Sequence, residues 1–255
     1  MKVAIIDTET TGIAEQDEPI SVGILLLEIE RSSGKFVREI ARYHGWREPH
    51  VPIHPKAYAV HGMIAADLVG KTLDLFAITS LINEADVLIA HNAEFDARML
   101  SVVCDATSGK PWRCSLRQFP WPTCIGGKRL DSVCDFYGVV RRSCHDALAD
   151  CEALLAVLLL HAGKTTRSRT FMALLLAKSP LGFDKLGQVA RSQTPTYLSS
   201  NAYREPHHPK RPVWDVDPVG FEPTRRRRPR IGVFETIVWV IFLFFALVAS
   251  VAMHS

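Results

Sequence analysis

The first apolar run of the chain, Val3-Ala4-Ile5-Ile6-Asp7-Thr8-Glu9-Thr10-Thr11-Gly12, ends on two carboxylates. Successive side chains of an extended backbone point to opposite faces, so Asp7 and Glu9 share a face and Thr8 points away. Like charges on one side of a strand repel unless a cation lies against them. The pair is therefore either an acidic strand end facing solvent or half of a divalent-metal site, and a metal site needs partners. Two later segments offer them. Ala90-His91-Asn92-Ala93-Glu94-Phe95-Asp96 closes another apolar run and places Asp96 at the start of the following helix. Cys144-His145-Asp146-Ala147-Leu148-Ala149-Asp150 supplies a histidine and an aspartate. Their five-residue spacing turns an ideal helix by about 500°, so they share no helix face. This spacing places His145 on the loop before the helix and Asp150 one turn in.

The elements that must hold these residues form an α/β pattern. Ile20 to Glu30 and Phe36 to Trp46 read as strands joined by a tight turn at Ser32-Ser33-Gly34-Lys35. Leu73 to Glu84 has helical periodicity, and Asp86 to Asn92 reads as a buried strand. Leu130 to Tyr137 predicts a helix closed by Gly138, and a last long helix runs to about His161. The expected sheet is mixed and begins with an antiparallel hairpin.

Charge divides the chain. Residues 1–163 carry 16 Lys and Arg against 21 Asp and Glu, whereas residues 164–230 carry 14 against 5. The front part is thus no general polyanion binder, and any polyanion it takes must be drawn by local residues or bound metal. Cys104, Cys114, Cys124, Cys134, Cys144 and Cys151 contain no Cys-x-x-Cys pair, so a zinc ribbon is unsupported and reduced thiols are expected. Met1 leads directly into a strand with no apolar leader, so a cytoplasmic front domain is expected.

Prolines 195, 206, 209, 212, 218 and 223 interrupt regular structure after the front domain. A flexible, basic linker over 164–230 is expected, with a short helical segment near Arg169 to Ala177 that either packs on the domain or binds a partner. Ile237 to Met253 then holds no charged residue, Ile231 to Val233 extend it upstream, and Arg225 to Arg228 and Arg230 precede it. This reads as a single C-terminal transmembrane helix over 231–253 with the arginines on the cytoplasmic side.

The patterns DxETTG, HNAxFD and HxALxD, in that order, resemble the motifs of the DEDDh family of 3′-to-5′ exonucleases, to which the proofreading ε subunit of bacterial DNA polymerase III belongs. Ala59-Val60-His61-Gly62 and Leu130-Asp131-Ser132-Val133-Cys134 with Tyr137-Gly138-Val139 resemble further segments of that family, and the resemblance covers about residues 1–163. It implies an RNase H-like mixed sheet flanked by helices. It also implies that Asp7, Glu9, Asp96 and Asp150 hold two Mg²⁺ or Mn²⁺ ions and that His145 is the general base. Hard oxygen ligands suit those ions, and an imidazole titrating near neutrality suits that role.

The resemblance implies nucleic-acid 3′ ends as partners, with single-stranded DNA favoured, RNA as the alternative, and a catalytically inactive tethered protein as a third reading. No polymerase motif is present, so any polymerase partner is a separate chain. Around the acidic residues, Thr10 and Gly12 would let a nucleotide approach closely, and His61 is either a nucleotide contact or a helix-entry histidine. Asn92 shapes the turn before Asp96 or touches substrate, and Phe95 is a core residue or a stacking surface. His91 is expected to be structural.

The anchor reading is checked by fractionating the full chain against a version ending at Pro223. Carbonate-resistant membrane association is expected only for the full chain.

Overall fold

The computed structural model describes residues 1–122, 125–141, 145–162 and 169–183. The proposed anchor and nearly all of the linker lie outside them. Among the described residues no helix is long and apolar enough to cross a membrane.

Among the described residues, five strands form one sheet in the order β3-β2-β1-β4-β5. The central strand β1 (Lys2–Thr10) runs antiparallel to β2 (Pro19–Ile29) and parallel to β4 (Val87–Ala90). β3 (Phe36–Trp46) pairs antiparallel with β2, and β5 (Trp112–Cys114) pairs parallel with β4. The hairpin turns through Gly34 at φ 71°. β2 is apolar along nearly its whole length because both of its faces are covered, whereas the edge strand β3 is largely solvent-accessible.

The alternation of β1 divides the core into two layers. Val3 and Ile5 pack with α6 (Leu130–Tyr137), α7 (Ala147–Leu158) and α8 (Phe171–Leu176). Ala4 and Ile6 pack with α3 (Leu75–Glu84) and α4 (Ala93–Val103) on the other face. Two short helices, α1 (Pro55–His61) and α2 (Ala65–Leu68), lie between β3 and α3, and α5 (Ser115–Gln118) follows β5. Strand β5 and helices α1, α2 and α5 were not expected from the sequence: three to seven residues are too few to display a period.

The packed fold continues past residue 163. Phe171, Met172, Leu175 and Leu176 of α8 belong to the core, and Leu181 bridges to Trp112 of β5. The threonine preceding α8 caps it, Thr170 Oγ1 accepting from Ala173 N, and the same hydroxyl donates to Ser33 O in the hairpin turn. Of the two roles expected for the helical segment near 169–177, packing on the domain is the one seen, so the packed domain extends into the stretch read as linker.

One glycine sets the depth at which α7 lies on the sheet. Gly23 stands opposite Asp7 in the β1–β2 register, and a Cβ there would lie 2.5 Å from the backbone of Ala147 and Leu148. Because the obstruction is backbone, a side chain at this position must push the start of α7 away from β1. Gly23→Ala is expected to destabilise the fold by about 1–3 kcal/mol, the usual cost of overpacking, which chemical denaturation of the purified chain would measure.

Candidate active site

Each acidic residue reaches one end of the sheet by a different route. Asp7 and Glu9 follow Val3 and Ile5 on the face that α7 covers, and β1 is fixed on both sides by strand pairing. Thr8 points to the opposite face, towards α4, where its hydroxyl donates to Asp96 Oδ1 at 2.9 Å. Asp96 lies in the first turn of α4, immediately after β4. Asp150 lies in the first turn of α7, whose start is capped by Asp146, a carboxylate accepting from Ala149 N at 2.9 Å. His145 precedes this helix with φ 60°, the one non-glycine residue with positive φ among those described. That left-handed conformation, uncommon outside glycine, places the histidine beside the acids as the chain turns into α7.

The ligand atoms of Glu9, His145 and Asp150 all lie within 4.8 Å of one another. Asp7 and Asp96 complete the cluster electrostatically. Burial, then the charges of Asp96, Glu9 and Asp150, hold the Asp7 carboxyl well above its usual range. Burial and the charges of Asp150 and Asp96 push Glu9 up to about 8. Burial pushes Asp96 up to about 7, against the Thr8 hydrogen bond that lowers it. Asp150 is raised by burial, with the Arg141 guanidinium opposing. Burial lowers the pKa of His145, against the Asp150 charge that raises it, which favours the neutral imidazole that can accept a proton. These buried acids with mutually raised pKa values are the arrangement a dication relieves, and their hard oxygen donors fit Mg²⁺ or Mn²⁺. All five residues expected to carry the chemistry thus meet in one place.

The surrounding residues divide. His61 accepts from Met63 N at Nδ1, so its Nε2–H donates to Thr10 O at 3.1 Å. It therefore links α1 to the end of β1, and burial lowers its pKa, with a further lowering whenever nearby His145 is protonated. Gly12 has a reason inside the loop itself, because a Cβ there would collide with the Asp17 carboxylate. That carboxylate accepts from Thr11 Oγ1 and Ala14 N. Thr10 Oγ1 donates to Gly12 O at 2.7 Å, so its hydroxyl also serves the loop.

Asn92 makes no side-chain cap, but its carbonyl accepts from Phe95 N and Asp96 N. Phe95 is half-buried and belongs to neither core cluster. The Arg98 guanidinium lies 5.4 Å from its ring centroid and donates to the carbonyls of Ile13 and Ala14, clamping the loop after β1 to α4. His91 is bonded to Ser115 Oγ and Lys128 O, as a structural histidine should be.

Thr8, Gly23, Arg98 and Arg141 were not read as site residues. Arg141 lies four residues before His145 in an Arg-Arg pair that resembles a solvated surface charge. Its side chain is only 6% exposed and is ion-paired with Asp150 and with Asp131 of α6.

Residues 4–158 match the Exonuclease family (RNase_T). No curated protein matches the sequence significantly. Among solved structures, E. coli exonuclease I in complex with a dT13 oligonucleotide is 20% identical with a TM-score of 0.50, over 61% of this chain and 39% of that one. The zinc-bound form of the E. coli exonuclease I–ssDNA complex is 18% identical with a TM-score of 0.50, over the same shares. The chain thus matches about two fifths of the length of those proteins, and at such identity the likeness is one of fold.

The raised carboxyls bear on stability. Unfolded carboxylates titrate near 4, so between about 4 and about 8 the metal-free fold binds more protons than the unfolded chain and loses stability as pH rises. In EDTA the melting temperature should fall as pH rises from 5 to 8, and Mn²⁺ should raise it more at pH 8 than at pH 5. Asp7→Asn should flatten the EDTA profile. Differential scanning fluorimetry of the full chain checks all three.

Covering more than half of the chain, the family match and the site it encloses make this protein a member of the exonuclease family.

Proposed function

We propose that this chain is a metal-dependent 3′-to-5′ exonuclease of the DEDDh type, releasing nucleoside monophosphates from single-stranded DNA ends. The observation that carries the reading is the meeting of Glu9, His145 and Asp150 within 4.8 Å, with Asp7 and Asp96 coupled to them. Such a cluster has buried acidic groups crowded together and a proton acceptor beside them.

Asp7, Glu9, Asp96 and Asp150 would hold two Mg²⁺ or Mn²⁺ ions, which supply charge neutralisation at the phosphate and acidify a water. His145 takes the proton as the water oxygen bonds to phosphorus and the P–O3′ bond breaks. The neutral form that burial favours suits this role, and His145 lies on the loop before α7. His61, Thr10, Gly12, Asn92 and Phe95 would border the terminal nucleotide, His61 through the carbonyl it holds at the end of β1. The half-exposed Phe95 ring, backed by Arg98, offers a face on which a base can stack.

DNA is favoured because the exonuclease I fold to which this chain is similar is seen with dT13. RNA remains the competing substrate, since among the described residues none is placed by its chemistry to read a 2′-hydroxyl. With the anchor inserted as read from 231–253, the domain would work on ends close to the cytoplasmic face of a membrane.

The test is a ladder assay with the full chain on matched DNA and RNA oligonucleotides labelled at the 5′ end. Shortening of DNA in Mg²⁺ or Mn²⁺ and none in EDTA is expected. Asp7→Ala or Asp150→Ala should abolish activity, and His145→Ala should slow it by about 10². Full activity of either aspartate variant sinks the metal-site reading, and preferential shortening of RNA transfers the substrate assignment.

A further inference from the structure

Arg141 is the one cation among the described residues ion-paired inside the acidic cluster. Its guanidinium meets Asp150, itself 9% exposed, and Asp131 in the first turn of α6, which is 36% exposed and lies outside the cluster. One buried charge therefore has two seats, one on a residue of the cluster and one beside it. Its field reaches further than its contacts, because it opposes the raised pKa of both Asp7 and Glu9.

An arginine cannot shed its proton in a protein, so this charge persists at every working pH. A dication entering the cluster meets it in two ways: the guanidinium occupies an oxygen of Asp150, and like charges repel across a poorly screened interior. The long side chain lets the head group leave Asp150 while its other carboxylate partner retains it.

We propose that Arg141 is an internal counter-ion that competes with divalent metal for Asp150, with Asp131 as the seat it keeps when metal enters. The proposal rests on the metal-site reading above. The device would stabilise the metal-free fold by offsetting carboxylate repulsion and would set the metal concentration at which the cluster fills. The opposite role, an arginine that orients Asp150 for metal, predicts the reverse change in affinity.

Mn²⁺ binding without nucleic acid, followed by isothermal titration calorimetry on the full chain, decides between them. Arg141→Gln should bind Mn²⁺ about tenfold more tightly, since a unit charge is removed from beside the site. Asp131→Asn, which leaves the cluster itself intact, should bind more weakly because Arg141 then loses the seat that draws it away from Asp150. The double variant should behave like Arg141→Gln, the non-additivity expected of residues acting through one charge.

Unchanged or weaker binding by Arg141→Gln overturns the proposal, as does an Asp131→Asn effect that persists in the double variant. Should Arg141→Gln not fold, Asp131→Asn decides by itself: weaker binding supports the competition and equal binding overturns it. An unaltered chain that binds no Mn²⁺ removes the metal-site reading along with this one, whereas normal binding by that chain leaves the reading in place whatever the variants do.

Discussion

The repulsion among Asp7, Glu9, Asp96 and Asp150 is the constraint from which the rest of the architecture follows. Four carboxylates cannot all ionise in a buried space without compensation, so the fold must bring them together by force of packing. The force comes from the layers behind them. β1 is held by two neighbouring strands, α4 by Ala93, Ala97 and Leu100 on one face, and α7 by Cys151, Leu154 and Leu158 on the other. Burial of those apolar side chains, each about 1.5–3 kcal/mol for a full-sized residue, holds the acidic ends in register.

How closely the acids approach is fixed by small things. The missing side chain of Gly23 lets α7 touch the sheet, the Asp146 cap fixes where that helix starts, and the Thr8 hydroxyl holds Asp96 from behind. Each acts on a carboxylate without belonging to the chemistry. The same holds for Arg98, which fastens the loop after β1 to α4 and so couples two of the three motif segments mechanically.

Much of this was legible in the sequence, for a physical reason in each case. Long apolar strands and capped helices carry periods and stop signals, so β1 to β4, α6 and the loop position of His145 could be read directly. The three-residue β5 and the short helices α1, α2 and α5 carry none. Among the site residues, the charged ones announce themselves by type, but Gly23 does not, because what makes it necessary is a helix more than a hundred residues away. Arg141 was hidden differently, since its neighbour Arg142 and the loop around it look like solvent-exposed charge. Gly12 was assigned an outward reason, close approach of a nucleotide, where the local fold supplies an inward one in Asp17.

The seating of α8 carries a practical consequence. After α7 the chain returns to the sheet: Thr170 ties to the hairpin turn at Ser33, and Leu181 bridges to Trp112. Phe171 stacks edge-on against Phe119, Trp121 and Tyr137, so it completes an aromatic cluster that the motif-bearing segments leave open. The smallest piece of this polypeptide able to close its own core is therefore longer than the stretch that matches the family. Domain boundaries drawn for expression or crystallisation belong beyond Phe183, because an end placed just after α7 would turn an interior aromatic face into a sticky surface.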